Sequence, residues 1–559
     1  MSVSARCYHF FIPQPKNKVH RSTEQQPLRA FVPVAKRSLW FPTAAAAYFL
    51  LAGVLFVPHL GVQNDEALFA SPLFAPKDWF YRIRLFHSDL ALLLLSYLGT
   101  LKTLLYKPIF RCFGVSAASI RVPMIAAGAL GIYLFYRLLD RIAGQRAARI
   151  GTTLLAADSI YLLTTCFDWG PVVLQHLLIV GGMLLAVRFH QGRGRAALFG
   201  AFFLLGLAVW DKALALWILT AVFTAALAVA GRAIWAAVNL RNILTAILGF
   251  GVGASPFLIY NFTHHFGSVG ENSGRDFTDI AGRARLLENT LNGQGMFGWL
   301  VEEDSALPRP HNPETPLEQF SAGISTIARH PRHNLAVYGF ILALLVAPFA
   351  RGHSLRAILF AAIAMAIAWL QMATTANAGG TIHHIILLWP LPAMLMGIAL
   401  AAASRRLGRG GVAAAVAVTA ILAGSELLVT NEYYALMVRN GGTVQWTDAV
   451  FKLSDYLKSQ PPAKAVACTD WGILDTLRLL NRGSLRLRWG ADDEGATLAG
   501  ELADGGTLFV GHPTGREVFP GKLEKLTERA AALGYRREVD AEIADGFGRP
   551  TFQVFRFVR

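Results

Sequence analysis

The chain has 559 residues, of which 54% are hydrophobic and only 16% charged, and its mean hydropathy is +0.42. Soluble globular domains carry charge on nearer a quarter of their residues, so a water-soluble enzyme is excluded and a polytopic membrane protein is expected. The net charge of +16 does not point to nucleic acid, because the basic residues fall in short clusters between apolar stretches and form no single patch.

Residues 1–37 hold seven Lys or Arg and one acid, Glu24, which predicts a disordered cytoplasmic tail. The apolar run Leu39–Leu60 is too long for a signal-peptide core and lacks a small-residue cleavage site, so it reads as an uncleaved signal anchor. A span needs roughly 20 apolar residues. That rule predicts eleven, near 39–58, 121–138, 149–166, 171–188, 196–210, 213–230, 242–261, 334–350, 357–375, 385–403 and 411–430. Alternate connections hold fourteen arginines (137, 141, 146, 149, 188, 193, 195, 232, 241, 351, 356, 405, 406 and 409), whereas the short opposite ones hold one cation, Lys212. Positive charge stays cytoplasmic, which predicts an N-in, C-out topology.

Three extramembrane segments are then expected outside. In loop 59–120, the stretch Asp89–Tyr106 is apolar but carries Lys102, and is read as an interfacial or re-entrant helix. Loop 262–333 is polar and mixed. Residues 431–559 turn soluble, with helices around Thr447–Lys458 and Lys522–Leu533 and strands at Ala465–Cys468, Thr507–Val510 and Thr551–Phe557, the pattern of a small α/β domain. The fold class expected is an α-helical polytopic membrane bundle of about eleven transmembrane helices over 38–430, followed by a C-terminal extracytoplasmic α/β domain. The Ala-, Arg- and Gly-rich composition points to a bacterial plasma membrane. Four cysteines (Cys7, Cys112, Cys166 and Cys468) lack metal-ligand spacing and give no disulfide framework.

Ionised groups near hydrocarbon are costly and usually have a task. Asp65-Glu66 follows the first span, Asp168 sits in Phe167-Asp168-Trp169-Gly170-Pro171 after the third, and Lys212 lies in a tight hairpin after Asp211. Each has a structural alternative. The acids can cap the helices that follow them, with Pro171 in a first turn, and Lys212 can snorkel while paired with Asp211. The predicted topology brings all three to one outer face. There a carboxylate can take a proton from an acceptor and a lysine can hold a phosphate. Glycosyl transfer from a phosphate-linked sugar needs these parts and no general acid, because the leaving phosphate is already a weak base.

The order of Asp65-Glu66, Arg121-Val122-Pro123, Asp168 and Gly206-Leu207-Ala208 through Lys212 resembles the GT-C superfamily of membrane glycosyltransferases. Within it the likeness is to the family 39 type, which includes protein O-mannosyltransferases and lipid A aminoarabinose transferases. The resemblance implies inverting transfer from a polyprenyl-phosphate sugar to a lipid, glycan or protein acceptor on the outer side of the membrane, with Asp65 as catalytic acid/base and Asp168 as a second essential acid. Two departures stand out. The family's Lys-Pro-Pro is replaced by Lys102 with Lys107-Pro108 nearby, and its Leu-Thr-Lys by Trp210-Asp211-Lys212. Asp65, Glu66 and Asp168 are accordingly the candidate catalytic residues, and Lys102, Lys212 and His384 the candidate donor-phosphate ligands.

His383-His384 precedes a predicted span and can bind a phosphate, a metal or neither. Glu302-Glu303-Asp304 can bind a divalent cation, although acidic runs are more often solvated. Asp158 falls at depth, Thr469-Asp470-Trp471-Gly472 after a strand, and the C-terminal domain is expected to bind acceptor or shield the cavity. The rival reading is a transporter or lipid flippase, which would place polar or broken helices near the midplane in repeated halves. A glycan polymerase using a lipid-diphosphate donor is a third.

Overall fold

The computed structural model describes residues 39–559 except 76–78, 86–87, 171, 273, 304–307, 309–310, 377 and 462. The expected tail, Pro171 and Asp304 lie outside the described residues. All eleven apolar segments fold as helix. In chain order the elements begin with α1 (Trp40–Phe56), α2 (Asn64–Leu68), β1 (Tyr81–Leu85), β2 (Ser88–Leu95), β3 (Leu98–Gly99) and α3 (Leu101–Phe113). The bundle continues through α4 (Ala117–Ala143), α5 (Gln145–Ala157), α6 (Ser159–Cys166), α7 (Val173–His190), α8 (Arg195–Asp211), α9 (Ala215–Ala237) and α10 (Leu240–Thr263). A second connecting region holds α11 (Gly267–Asn272), α12 (Ile280–Leu291) and α13 (Pro316–Ile327). It is followed by α14 (Ala336–Val346), α15 (His353–Ala373), α16 (Ile382–Ile385), α17 (Leu391–Arg406) and α18 (Gly408–Asn440).

Among the described residues, seven helical segments are long and apolar enough to cross a membrane: α4, α7, α9, α10, α15, Ile382–Arg406 and α18. The segment containing α17 is wholly enclosed, whereas α9, α10 and α15 present apolar residues such as Leu240, Ile247 and Leu370 outward. Helices α8 and α10 approach closely through glycine. A Cβ on Gly206 would stand 2.4 Å from the Phe250 carbonyl oxygen, and one on Gly253 2.3 Å from that of Phe203. Small residues let backbones meet this way where lipid removes the hydrophobic drive to pack. The third apolar segment is broken at Asp158, which leaves helical geometry and caps α6 through the Tyr161 amide.

The first loop departs from expectation. Asp89–Leu95 is not helical but pairs as a strand with β1 in the three-stranded order β1-β2-β3, and helix begins only at Leu101. Its leucine run hides the alternation that marks a strand. The partner Tyr81-Arg82-Ile83-Arg84-Leu85 does alternate. Gly99 ends the sheet where any side chain would strike the Trp210 carbonyl, and Leu98 bridges to Lys212.

The C-terminal unit contains α19 (Ala449–Ser459), β4 (Ala465–Cys468), α20 (Leu474–Leu480), β5 (Leu487–Trp489) and α21 (Gly495–Asp504). It closes with β6 (Thr507–Gly511), α22 (Lys522–Ala532), β7 (Arg536–Ala544) and β8 (Pro550–Val558). The strand order is β5-β4-β6-β8-β7, parallel through β5, β4 and β6 and antiparallel beyond. Helices α19 and α20 cover one face and α21 and α22 the other, through Leu453 and Leu477 on one side and Leu498 and Leu526 on the other.

Candidate active site

The first acidic residues sit on a short, heavily restrained helix. Gln63 caps α2 by accepting the Asp65 amide at 2.6 Å, while Glu66 Oε2 accepts the Gln63 amide at 3.1 Å. Arg121, in the first turns of α4, grips the same helix. It donates to Glu66 Oε1 at 2.7 Å and Oε2 at 2.8 Å, and to the carbonyls of Val57, Leu60 and Gly61 at 2.6 to 3.0 Å. Both side chains are fully enclosed. Glu66 is therefore not an open carboxylate beside Asp65. Its oxygens are committed to the guanidinium fork, and its part is to hold α2.

Asp65 keeps partial exposure. Burial pushes its carboxyl above the ordinary range; Lys212 opposes that shift most strongly among its neighbours, and Asp168 adds to it. Lys212 in turn is pulled down to about 8 by burial, with Asp65 and then Asp211 holding it up. Its ammonium donates to the Gly170 carbonyl at 2.7 Å. The loop that supplies Gly170 is bent sharply, with Asp168 at φ 40° and Gly170 at φ 65°, and a side chain on Gly170 would collide with the His383 ring. Asp168, Asp65 and Lys212 thus lie close enough to act on one another's charge.

Lys102 joins them, but not as an open cation. It is fully buried, forms an ion pair with Asp168 Oδ2, and lies 4.7 Å from the centre of the Phe69 ring. Burial still leaves the Asp168 carboxyl above its ordinary range, with Lys102 opposing.

His384 is half-buried beside Trp217 (6.0 Å between ring centres), and its Nδ1 accepts the Gly379 amide at 3.0 Å. Arg283 of α12 completes this basic side, donating to the Ala378 carbonyl at 2.9 Å and packing over Gly380. Sequence reasoning missed Arg283, because it sits in a mixed polar loop with no motif around it. An aromatic wall runs from Trp299 over Trp169 (5.1 Å) to His383 (4.9 Å).

Other candidates lie apart. Glu302 pairs with Arg549 and Glu303 with Arg332. Asp158 accepts from Trp389 Nε1 at 2.5 Å and shares a small cavity with Glu426 and Leu291. Asp470 is enclosed by His512 and the amides of Val518 and Phe519, a purely internal set of partners. Among the described residues no three His, Cys, Asp or Glu side chains are arranged to hold a metal ion.

The chain is thus a helical membrane bundle with a restrained acid–lysine cluster at one end and a five-stranded sheet unit packed beside it. No family model matches the chain, and no curated protein matches it. Solved structures do. ArnT from Cupriavidus metallidurans in the apo state superposes with a TM-score of 0.56 at 14% identity, covering 93% of this chain and 97% of that one. The same protein bound to undecaprenyl phosphate gives 0.54 with the same identity and coverage. The Archaeoglobus fulgidus oligosaccharyltransferase in complex with Zn and sulfate gives 0.50 at 15% identity, covering 84% of this chain and 68% of that one.

Proposed function

We propose that the protein is an inverting glycosyltransferase that moves a sugar from a polyprenyl-phosphate donor to an acceptor at the outer face of a membrane. The observation that carries this reading is the placement of a partly accessible carboxylate, Asp65, next to Lys212 at one end of the bundle. Support comes from the shared fold with ArnT, whose structure binds undecaprenyl phosphate.

In this reading Asp65 takes the proton of an acceptor hydroxyl or amine as that atom attacks the anomeric carbon. The bond from that carbon to the phosphate oxygen breaks, and polyprenyl phosphate leaves. Lys212, Arg283 and His384 face the phosphate. Lys102 supports it indirectly by cancelling the charge of Asp168, which fixes the loop that carries Gly170. Glu66 and Arg121 orient the helix that carries Asp65. In this reading this end of the bundle, and the C-terminal unit with it, lies outside the cytoplasm, a topology that the arginine pattern supports.

The test is transfer by the purified protein in liposomes, with a panel of polyprenyl-phosphate sugars and a crude envelope acceptor fraction. Wild type is expected to transfer from at least one donor, and Asp65→Asn to lose roughly 10²–10⁴-fold, the usual contribution of a positioned base. Near wild-type transfer by Asp65→Asn would refute the assignment. Transport of a labelled solute that ignores this substitution would favour the flippase alternative.

A further inference from the structure

Among the described residues, Asp211 is the acid near the site that the mechanism above leaves idle. Its side chain is fully enclosed at the end of α8, and neither carboxylate oxygen has a hydrogen-bond partner. It does not pair with its neighbour Lys212, whose ammonium turns to Gly170. The charges facing it come from α3, from the loop after α6 and from its own chain. Lys102 acts on it most strongly, then Asp168, then Lys212. Asp65 reaches it only through Lys212, and the Tyr106 hydroxyl on α3, which feels Asp168, Glu66 and Asp211, bonds to the Ile120 carbonyl.

Counting the groups in this cluster gives three carboxyls (Asp65, Asp168, Asp211) and two ammoniums (Lys102, Lys212), with Glu66 and Arg121 cancelling each other. An ionised carboxylate without a partner in such an enclosure is far costlier than a protonated one. Asp168 presents the complementary feature. One oxygen is held by Lys102, while Oδ1 is buried and closes no hydrogen bond of ordinary geometry, the Val173 amide at the start of α7 being the backbone donor that acts on this carboxyl.

We propose that Asp168 and Asp211 are alternative anchors for a single cation, Lys102, and that whichever acid lacks the lysine carries the proton. In the resting arrangement Lys102 is on ionised Asp168 and Asp211 is neutral. In the other, Lys102 moves to ionised Asp211 and the proton passes to Asp168, so the total charge of the cluster is unchanged. The Phe69 ring lies beneath the ammonium and lets it pivot without meeting hydrocarbon alone.

The exchange turns Asp168 from a locked acceptor into a hydrogen-bond donor whose free oxygen faces the loop shared with Gly170. It rests on the reading that this loop borders the donor sugar. There a neutral Asp168 can donate to a sugar hydroxyl or to a phosphate oxygen, which an ionised one would repel. Asp211 is thus a positioning residue that acts through Lys102.

Infrared spectroscopy of the full-length protein in detergent tests the idea without any substrate, because a buried protonated carboxyl has a carbonyl stretch distinct from those of ionised ones. Asp211→Asn is expected to lose one such band. Asp168→Asn is expected to lose the same band, since Lys102 then moves to Asp211 and displaces its proton. Lys102→Met is expected to keep the band and add a second, as Asp168 becomes protonated. Should Asp211→Asn fold poorly, Asp211→Glu is expected to shift the band without removing it.

An Asp211→Asn spectrum identical to wild type overturns the proposal. So does a band that vanishes in Asp211→Asn but survives in Asp168→Asn, because the two acids then do not share one lysine. Absence of transfer from every donor by wild type, with these bands behaving as stated, would instead count against the glycosyltransferase reading alone.

Discussion

At Asp65 and Lys212 burial acts on two opposite charges at once, and the consequences for the proposed reaction can be signed. A base works in its ionised form. Burial raises the Asp65 carboxyl, so the rate is expected to climb only as pH rises past a value above the ordinary carboxylate range. A phosphate-binding lysine works in its charged form. Burial brings Lys212 down to about 8, so the rate should fall again as pH passes that point. The product is a bell in kcat/KM with its alkaline limb near 8. Lys212→Arg keeps the charge at all these pH values while losing the compact fit of an ammonium against the Gly170 carbonyl. The expected outcome is a lower maximum with the alkaline limb gone, measured as initial rates across pH in one liposome preparation. An alkaline limb unchanged in this variant would assign it to some other group.

Among the elements, the joint between α2 and α4 explains what was legible in the chain and what was not. Arg121-Val122-Pro123 stood out as a motif, yet its partner did not, because adjacency in sequence made Glu66 look like a companion of Asp65. On a helix successive side chains diverge by about 100°, so one acid of the pair faces the site while the other turns into the bundle. Span positions were readable because lipid demands a fixed apolar length. The break at Asp158 and the strand Ser88–Leu95 were not, since an all-apolar run carries neither period. Lys102 was legible as a lysine in an apolar stretch, but its engagement by Asp168 depends on a contact between residues 66 positions apart. Arg283 lies on α12, a short helix within a mixed polar connection, and its approach to His384 could be found only in three dimensions. The joint itself makes a prediction. Arg121→Met leaves Glu66 buried and unpaired, at about 3–5 kcal/mol. Adding Glu66→Gln removes that charge, so the double variant is expected to recover much of the loss in thermal unfolding followed in detergent. A double variant no more stable than the single would show that the carbonyl contacts of Arg121, not its ion pair, carry the effect.

For the whole molecule, the C-terminal unit is joined to the bundle at both loops that carry the proposed chemistry. The Gly61 amide, three residues before α2, donates to the Trp446 carbonyl at 2.9 Å. Ser71, just beyond α2, donates to Asp475 of α20 at 2.9 Å, and Asp475 is also paired with Arg478. Trp446 packs 5.5 Å from Phe167, which precedes Asp168 and lies 4.8 Å from the Arg121 guanidinium. The sheet unit therefore acts as part of the frame that sets the Asp65 turn against the Asp168 loop, and a change confined to the seam should be felt at the chemistry. Gly61 is the sharpest place to test this, because a Cβ there would stand 1.8 Å from the Thr447 carbonyl oxygen, a backbone atom that cannot rotate away. Gly61→Ala must open the seam, at a cost of roughly 1–3 kcal/mol for overpacking. It is expected to lower kcat about 10-fold or more with the donor KM little changed, since a shift of about 1 Å in a catalytic group can cost up to 10²-fold. Ser71→Ala, which removes one hydrogen bond worth about 1 kcal/mol, should do the same more weakly. Hydrogen exchange supplies the independent readout: the amides of residues 63–69 should exchange faster in both variants, in the same order as the losses in kcat. Wild-type rates in Gly61→Ala together with accelerated exchange would mean that the seam is structural only, and that Asp65 is positioned from within the bundle by Arg121 alone.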